Sequence, residues 1–194
     1  MNFLYRFRGE ILGAFAVVLW LFPHSSEWIP ASSGLLALLG IVLRVESRRV
    51  IGEHTRKNEK EAPEFVTWGI YALVRHPIYL SNLCFCYALI LFHLSWRMAS
   101  FVFAAIVTLF VFSLAKAEDS FLEKTFGERF VKWADRTPMF FPSRFSDSKE
   151  ELARSVGKRS VLTAVVADRW TWMWLIFCTL LLILRRYVEL PFAF

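Results

Sequence analysis

Hydrophobic positions cluster in five runs along the chain, about Ile11 to Phe22, Ala31 to Leu43, Ile78 to Leu94, Met98 to Ala115 and Trp170 to Leu184. Each is too long for a buried strand and lacks period-two alternation, so each predicts a helix. Several fall short of the ~20 apolar residues that cross a bilayer upright, and would need flanking Trp, Tyr and snorkelling Arg to complete the span. The expected fold is therefore all-α: a polytopic integral membrane protein of about five transmembrane helices, with interfacial helices on the cytosolic side. Polar stretches divide it into a scaffold hairpin (9–45), a central core (46–142) and an interfacial segment with a last span (143–194), all within one membrane domain.

Local signals refine the boundaries. Pro77 opens the third run, as suits a first helical turn, where a missing N–H costs nothing. From Pro77 to Ser95 is a climb of roughly 27 Å and from Met98 to Glu118 a descent of about 30 Å at 1.5 Å per residue. That arithmetic returns Glu118 to the depth of His76. Beyond it, Phe121, Leu122, Phe126, Phe130 and Trp133 recur at helical spacing, which predicts an amphipathic continuation along the interface, weakened at Gly127 and ended by Thr137 to Pro142. The segment from Ser143 to Asp168 is polar and basic, with room for a second interfacial helix.

Composition agrees with a membrane protein: 56% of the 194 residues are hydrophobic, including 20 Phe and 8 Trp, against about 45 to 50% in soluble domains. The net charge of +6 would suit nucleic acid, but its distribution favours a bilayer. With the N-terminus in the cytosol, twenty Lys and Arg fall inside and three (Arg97, Arg185, Arg186) outside, a positive-inside pattern. The expected location is an integral membrane, the cytoplasmic one if the source is bacterial, with no nucleic-acid partner and an open oligomeric state. The first run ends in Pro23-His24-Ser25-Ser26 without a small-x-small site, so a cleaved signal peptide is not expected. Three Cys (Cys84, Cys86, Cys178) inside apolar runs read as small core residues. The four His lack metal-ligand spacing, and no zinc or other metal site is expected. Neither a Gly-x-Gly-x-x-Gly turn nor a Walker loop is present. Ser81 near His76 does not share its helix face, and reads as a helix-surface serine.

Candidate chemistry concentrates at the mouth of the third run. Arg75, His76, Tyr79 and Glu118 converge at one depth, with Tyr71 and His54 nearby in sequence, giving cationic, anionic and aromatic groups at a membrane edge, where ionisable side chains mark function. The pattern Gly69-x-Tyr71-x-x-x-Arg75-His76-Pro77-x-Tyr79, followed by Glu118-Asp119-x-x-Leu122-x-x-x-Phe126-Gly127-x-x-Phe130 and Phe140-Phe141-Pro142, resembles the integral membrane methyltransferases. That group includes isoprenylcysteine carboxyl methyltransferases and phospholipid N-methyltransferases. The stretch Gly52-x-His54-Thr55-Arg56-x-Asn58 is similar to bacterial members. Two departures stand out: Glu118-Asp119 where the family commonly has two Glu, and Phe130 where it usually has Tyr. The shorter Asp makes the role of Asp119 less defined than that of Glu118.

The resemblance implies S-adenosylmethionine held at the cytosolic edge by Arg75, His76, Pro77, Tyr79 and Glu118, and a lipophilic or lipid acceptor. Chemistry suits that cofactor: Glu118 with its ammonium, Arg75 or His76 with its carboxylate, and Tyr71, Tyr79, Leu80 or Leu83 walling the adenine, with His54 and Asp119 adjacent. Methyl transfer needs alignment more than a metal. A carboxylate acceptor requires no base; an amine requires one, for which His76, His54 and Glu118 are candidates. Two other readings are an NADPH-dependent sterol-type membrane reductase, whose C-terminal block is similar but places Asn before the Tyr where this chain has Ile78, and a non-catalytic membrane scaffold.

Overall fold

A computed structural model of the chain describes residues 8–25, 28–51, 65–142 and 159–188, with side chains described from residue 11 onward. Seven α-helices are present among them: α1 (Arg8–Leu21), α2 (Ala31–Ile51), α3 (Pro77–Leu94), α4 (Met98–Phe126), α5 (Glu128–Ala134), α6 (Val161–Ala167) and α7 (Arg169–Arg185), with a 3-10 turn at Gly69–Ala72 before α3. No strand occurs among the described residues. Helix α3 and the 29-residue α4 are each long and apolar enough to cross a membrane, and α6 with α7, bent by 68° at their junction, pass jointly as a third. Of the five expected spans, α1 is the short one, and the C-terminal half of α2 carries Arg44, Glu46, Arg48 and Arg49.

Helix ends follow from their residues. Pro77 takes the first turn of α3, and the Leu80 N–H donates to the His76 carbonyl at 3.0 Å, so the motif's His forms the helix mouth. At 1.5 Å per residue α4 is about 43 Å long, more than a hydrocarbon core needs, and it runs unbroken past the acidic pair to Phe126. Gly127, at φ 55°, then separates it from α5, a left-handed backbone that glycine adopts without a Cβ clash. Ser160 caps α6 by accepting from the Thr163 N–H at 3.1 Å.

Contacts divide the chain into two compact units. The first comprises 1–38, 83–117 and 170–194; the second, 39–82 and 118–169. In the first, Leu19, Ile90, Leu94, Phe103 and Leu182 form the core, with Phe15 and Phe22 set edge-on to Phe103 at 5.4 and 5.0 Å. The apolar window of α3 is 61% buried, that of α4 only 33%. Phe101, Val102, Ile106 and Leu109 of α4 accordingly present an apolar face outward, as lipid contact requires.

In the second unit Val50, Tyr71, Phe130 and Trp133 make a separate core. Phe65 stacks on Phe126 at 4.8 Å and meets Trp133 edge-on at 5.2 Å. Of the positions expected on an interfacial helix, Leu122, Phe126, Phe130 and Trp133 close this core, while Phe121 is 56% exposed and lies outside it. Ser81 corrects its expectation: it is fully buried and donates to the Gly40 carbonyl at 2.9 Å, fastening α3 to α2 rather than lying on a surface.

Candidate functional site

The 3-10 turn and the start of α3 carry the motif, and the second unit supplies its partners. The main chain of the motif is pinned first: the Arg75 N–H donates to the Pro138 carbonyl at 2.9 Å and the His76 N–H to the Met139 carbonyl at 3.2 Å. Phe140 follows directly, its ring 6.2 Å from that of His76, and Tyr79 lies 5.6 Å from the same imidazole. The distant Phe140-Phe141-Pro142 block therefore backs the motif, and only Phe140 of its two Phe rings meets His76.

Asp119 organises the charges. Its carboxylate accepts from His76 Nε2 at 2.8 Å and lies 3.2 Å from Arg75 Nη2, while Arg75 Nη1 donates to the Ala134 carbonyl at 3.3 Å. Nε2–H donation to a carboxylate leaves Nδ1 as the basic nitrogen of a neutral imidazole. Arg75 Nε is buried without a partner, a donor that costs free energy unless something accepts from it. Glu118 is half-buried and makes no hydrogen bond or ion pair among the described residues. The sequence ranked Glu118 above Asp119; the geometry divides the pair by task, with Asp119 holding the motif and Glu118 left open.

The remaining expected residues take different places. Tyr71 is buried in the Val50–Phe130–Trp133 core, and its phenol is pushed above the ordinary tyrosine range by burial, then by the Glu118 charge. It stays a neutral donor beside Ser47. Pro77 is fully buried and Leu80 half-buried. Leu83 is buried and belongs to the first unit. His54 and its Gly52 to Asn58 surroundings lie outside the described residues.

One feature of this unit escaped sequence reasoning. Asp168, with no exposed surface, accepts from Arg44 Nε and, at 2.9 Å, from Arg48 Nη2; Arg44 Nη1 also donates to Asn82 Oδ1 at 2.8 Å. The Arg49 main-chain carbonyl and the Arg159 N–H add a bond at 2.9 Å, and Arg49 Nε reaches the Arg159 carbonyl at 3.1 Å. These bonds tie the chain around 159–168 to α2. A signal was available: Asp168 is the lone acid in the run from Leu152 to Val188, and an isolated carboxylate at the mouth of an apolar helix needs cations close by.

Known proteins share much of this sequence. The chain is 33% identical over 149 residues to the cobalt-zinc-cadmium resistance protein CzcN of Cupriavidus metallidurans, covering 73% of this chain and 66% of that protein. It is 29% identical over 115 residues to the nickel-cobalt-cadmium resistance protein NccN of Alcaligenes xylosoxydans xylosoxydans, covering 59% and 52%. The chain thus spans less than two thirds of the length of these curated relatives. No solved structure matches it at comparable significance. The family model for phospholipid methyltransferases matches residues 28–129, more than half of the chain and a range that contains the helix-mouth motif and the acidic pair. This chain is a member of the phospholipid methyltransferase family.

Proposed function

We propose that the protein transfers a methyl group from S-adenosylmethionine to a lipophilic acceptor, a lipid amine or an isoprenoid-linked carboxylate, at the cytosolic face of a membrane crossed by about five helices. The single observation that carries the reading is the division of the acidic pair, which leaves the half-buried Glu118 carboxylate without a hydrogen-bond or ion-pair partner among the described residues while Asp119 fixes Arg75 and His76. The residues fit the cofactor's amino-acid end: Glu118 suits an ammonium, and the buried, unpartnered Nε of Arg75 suits a carboxylate. His76, Tyr79 and Phe140 offer ring surface beside them. When bound, the cofactor supplies an electrophilic methyl on a sulfonium.

The chain's own work is alignment and proton handling. Asp119 acts as a positioning residue, holding His76 through Nε2 and Arg75 through Nη2, so that both project from a helix mouth pinned by the Pro138 and Met139 carbonyls. A carboxylate acceptor would attack without assistance. An amine acceptor would first lose a proton, for which Nδ1 of His76, His54 or Glu118 is the base. The basic residues of 39–82 and 118–169 support a cytosolic placement of this unit. The relatives' names speak of metal resistance, which is said of those proteins; the reading for this chain rests on the family and on the Glu118 and Arg75 geometry.

Isothermal calorimetry of the purified chain in detergent tests the reading. Binding of S-adenosylmethionine is expected in the wild type, weakened on the order of tenfold or more in Glu118→Gln, the loss expected for one charge-assisted contact, with the melting temperature unchanged. Absence of binding in the wild-type protein would sink the proposal.

A further inference from the structure

Methyl transfer makes no use of a second polar cluster, which lies in the first unit where residues 22–25, 95–97 and 185–188 come together. Arg185 is buried, 4% exposed, and donates from Nε to the Trp20 carbonyl at 3.1 Å and from Nη1 to the Val188 carbonyl at 2.6 Å. Arg186 donates from Nη2 to the Phe92 carbonyl at 2.7 Å, with its guanidinium 5.0 Å from the Phe92 ring centre. His93, with no exposed surface, shares a hydrogen bond between Nε2 and the Phe22 carbonyl at 3.0 Å. His24 lies within electrostatic reach of Arg97, Arg185 and Arg186, and His93 within reach of His24 and both C-terminal arginines.

Two properties make this more than a capped helix end. First, each hydrogen bond that Arg185 and Arg186 make goes to a main-chain carbonyl, and no described carboxylate pairs with Arg97, Arg185 or Arg186. Carbonyl dipoles satisfy donors but leave the formal charge in place, so among the described residues three positive charges stand around His24 without a carboxylate partner. Second, Nε of Arg186 is buried without a partner, a donor that marks a place where an acceptor is missing; Nδ1 of His93, also buried and unpartnered, is the lone-pair nitrogen of a ring whose Nε2–H donates to the Phe22 carbonyl. The three arginines are also the whole basic complement that the charge rule assigns to the outer side. Exceptions to that rule are costly to keep unless they do something, and here they converge.

The ligand's chemistry follows. Guanidinium groups match the oxygens of a phosphate in fixed, paired geometry, where ammonium groups act as point charges. Trp28, Trp96 and Tyr187, from the same three segments or directly beside them, are 75%, 55% and 82% exposed, as aromatic anchors at headgroup level are. We propose that Arg97, Arg186 and His24, backed by Arg185 and His93, form a binding site for the phosphodiester of an anionic membrane-lipid headgroup. A free phosphate shares the chemistry but gives no reason for the exposed aromatic side chains around the cluster.

Thermal unfolding of the full chain in a neutral maltoside detergent separates the sources. Short-chain phosphatidylglycerol is expected to raise the melting temperature by several degrees, as saturating a native-state site does. Phosphatidylcholine of equal chain length and inorganic phosphate should leave it unchanged. Arg97→Gln, whose exposed side chain holds no packing together, should cut the shift, and Arg97→Gln/Arg186→Gln should abolish it; because Arg186 also bonds Phe92, the single variant keeps the test independent of any folding loss. Equal shifts from both lipids, a full shift in the variants, or reproduction of the effect by inorganic phosphate would each overturn the proposal.

Discussion

The two units of this protein handle arginine in opposite ways. In the second, Arg44, Arg48 and Arg75 meet carboxylates, Asp168 or Asp119, and the charge is settled within the fold. In the first, Arg185 and Arg186 meet carbonyls, and no carboxylate among the described residues pairs with them. Residue type and burial alike fail to separate them, since Arg44 and Arg185 are 6% and 4% exposed. The counterpart decides whether a buried arginine serves as a fastening or as a binding group. The same division recurs one residue apart in the acidic pair, where Asp119 fastens and Glu118 stays open.

Breaking the comparison at its strongest point means removing Asp168. Asp168→Ala strands two guanidiniums with no exposed exit and should cost about 3–5 kcal/mol, read as a lower midpoint in detergent or denaturant titration. A loss below the error of that titration would show that the network is not what holds 159–168 to α2. The first unit makes the contrasting case, because its stability rests on packing. Leu94→Ala, at a core side chain 2% exposed, should cost about 2–4 kcal/mol through the cavity left behind, with no change in S-adenosylmethionine affinity.

Smaller effects sharpen the acidic pair. Asp119→Asn keeps an acceptor for His76 but lifts the charge facing Arg75; the pair is 16% and 17% exposed, so solvent screening limits the stability loss to about 1 kcal/mol. Methyl-transfer rate should fall about 10- to 100-fold, the usual scale for losing a group that orients a functional side chain. An unchanged rate would reduce Asp119 to a surface ion pair.

Tyr71 gives the mildest test, at alkaline pH. Its folded pKa is raised, by burial first and the Glu118 charge second, so the folded state keeps a proton that the unfolded chain releases near pH 10. Its contribution is fully present below about pH 10 and declines as pH rises above that value. Tyr71→Phe should flatten that alkaline decline without moving stability near neutral pH by more than the loss of the Ser47 contact. A decline as steep in Tyr71→Phe as in the wild type would assign the titration to another group.

Sequence alone determined the local facts: helices from apolar runs, the mouth of α3 from Pro77, the break at Gly127, the charge asymmetry, and a family resemblance carried by Arg75-His76-Pro77-x-Tyr79 and the acidic pair. Each is encoded within a few residues of where it acts, because helix periodicity and capping are short-range. Helix arithmetic even brought Glu118 to the depth of His76, since two straight helices joined by a short turn leave little freedom. It could not say which acid of the pair turns toward the motif, because neighbouring positions on a helix face about 100° apart and a small rotation exchanges them. Nor could it join Arg44 to Asp168, 124 positions away, find the carbonyls that take up Arg185 and Arg186, or gather His24 and Arg97 beside them. Those are choices of partner, and a partner is fixed only when packing has brought distant segments to hydrogen-bonding range.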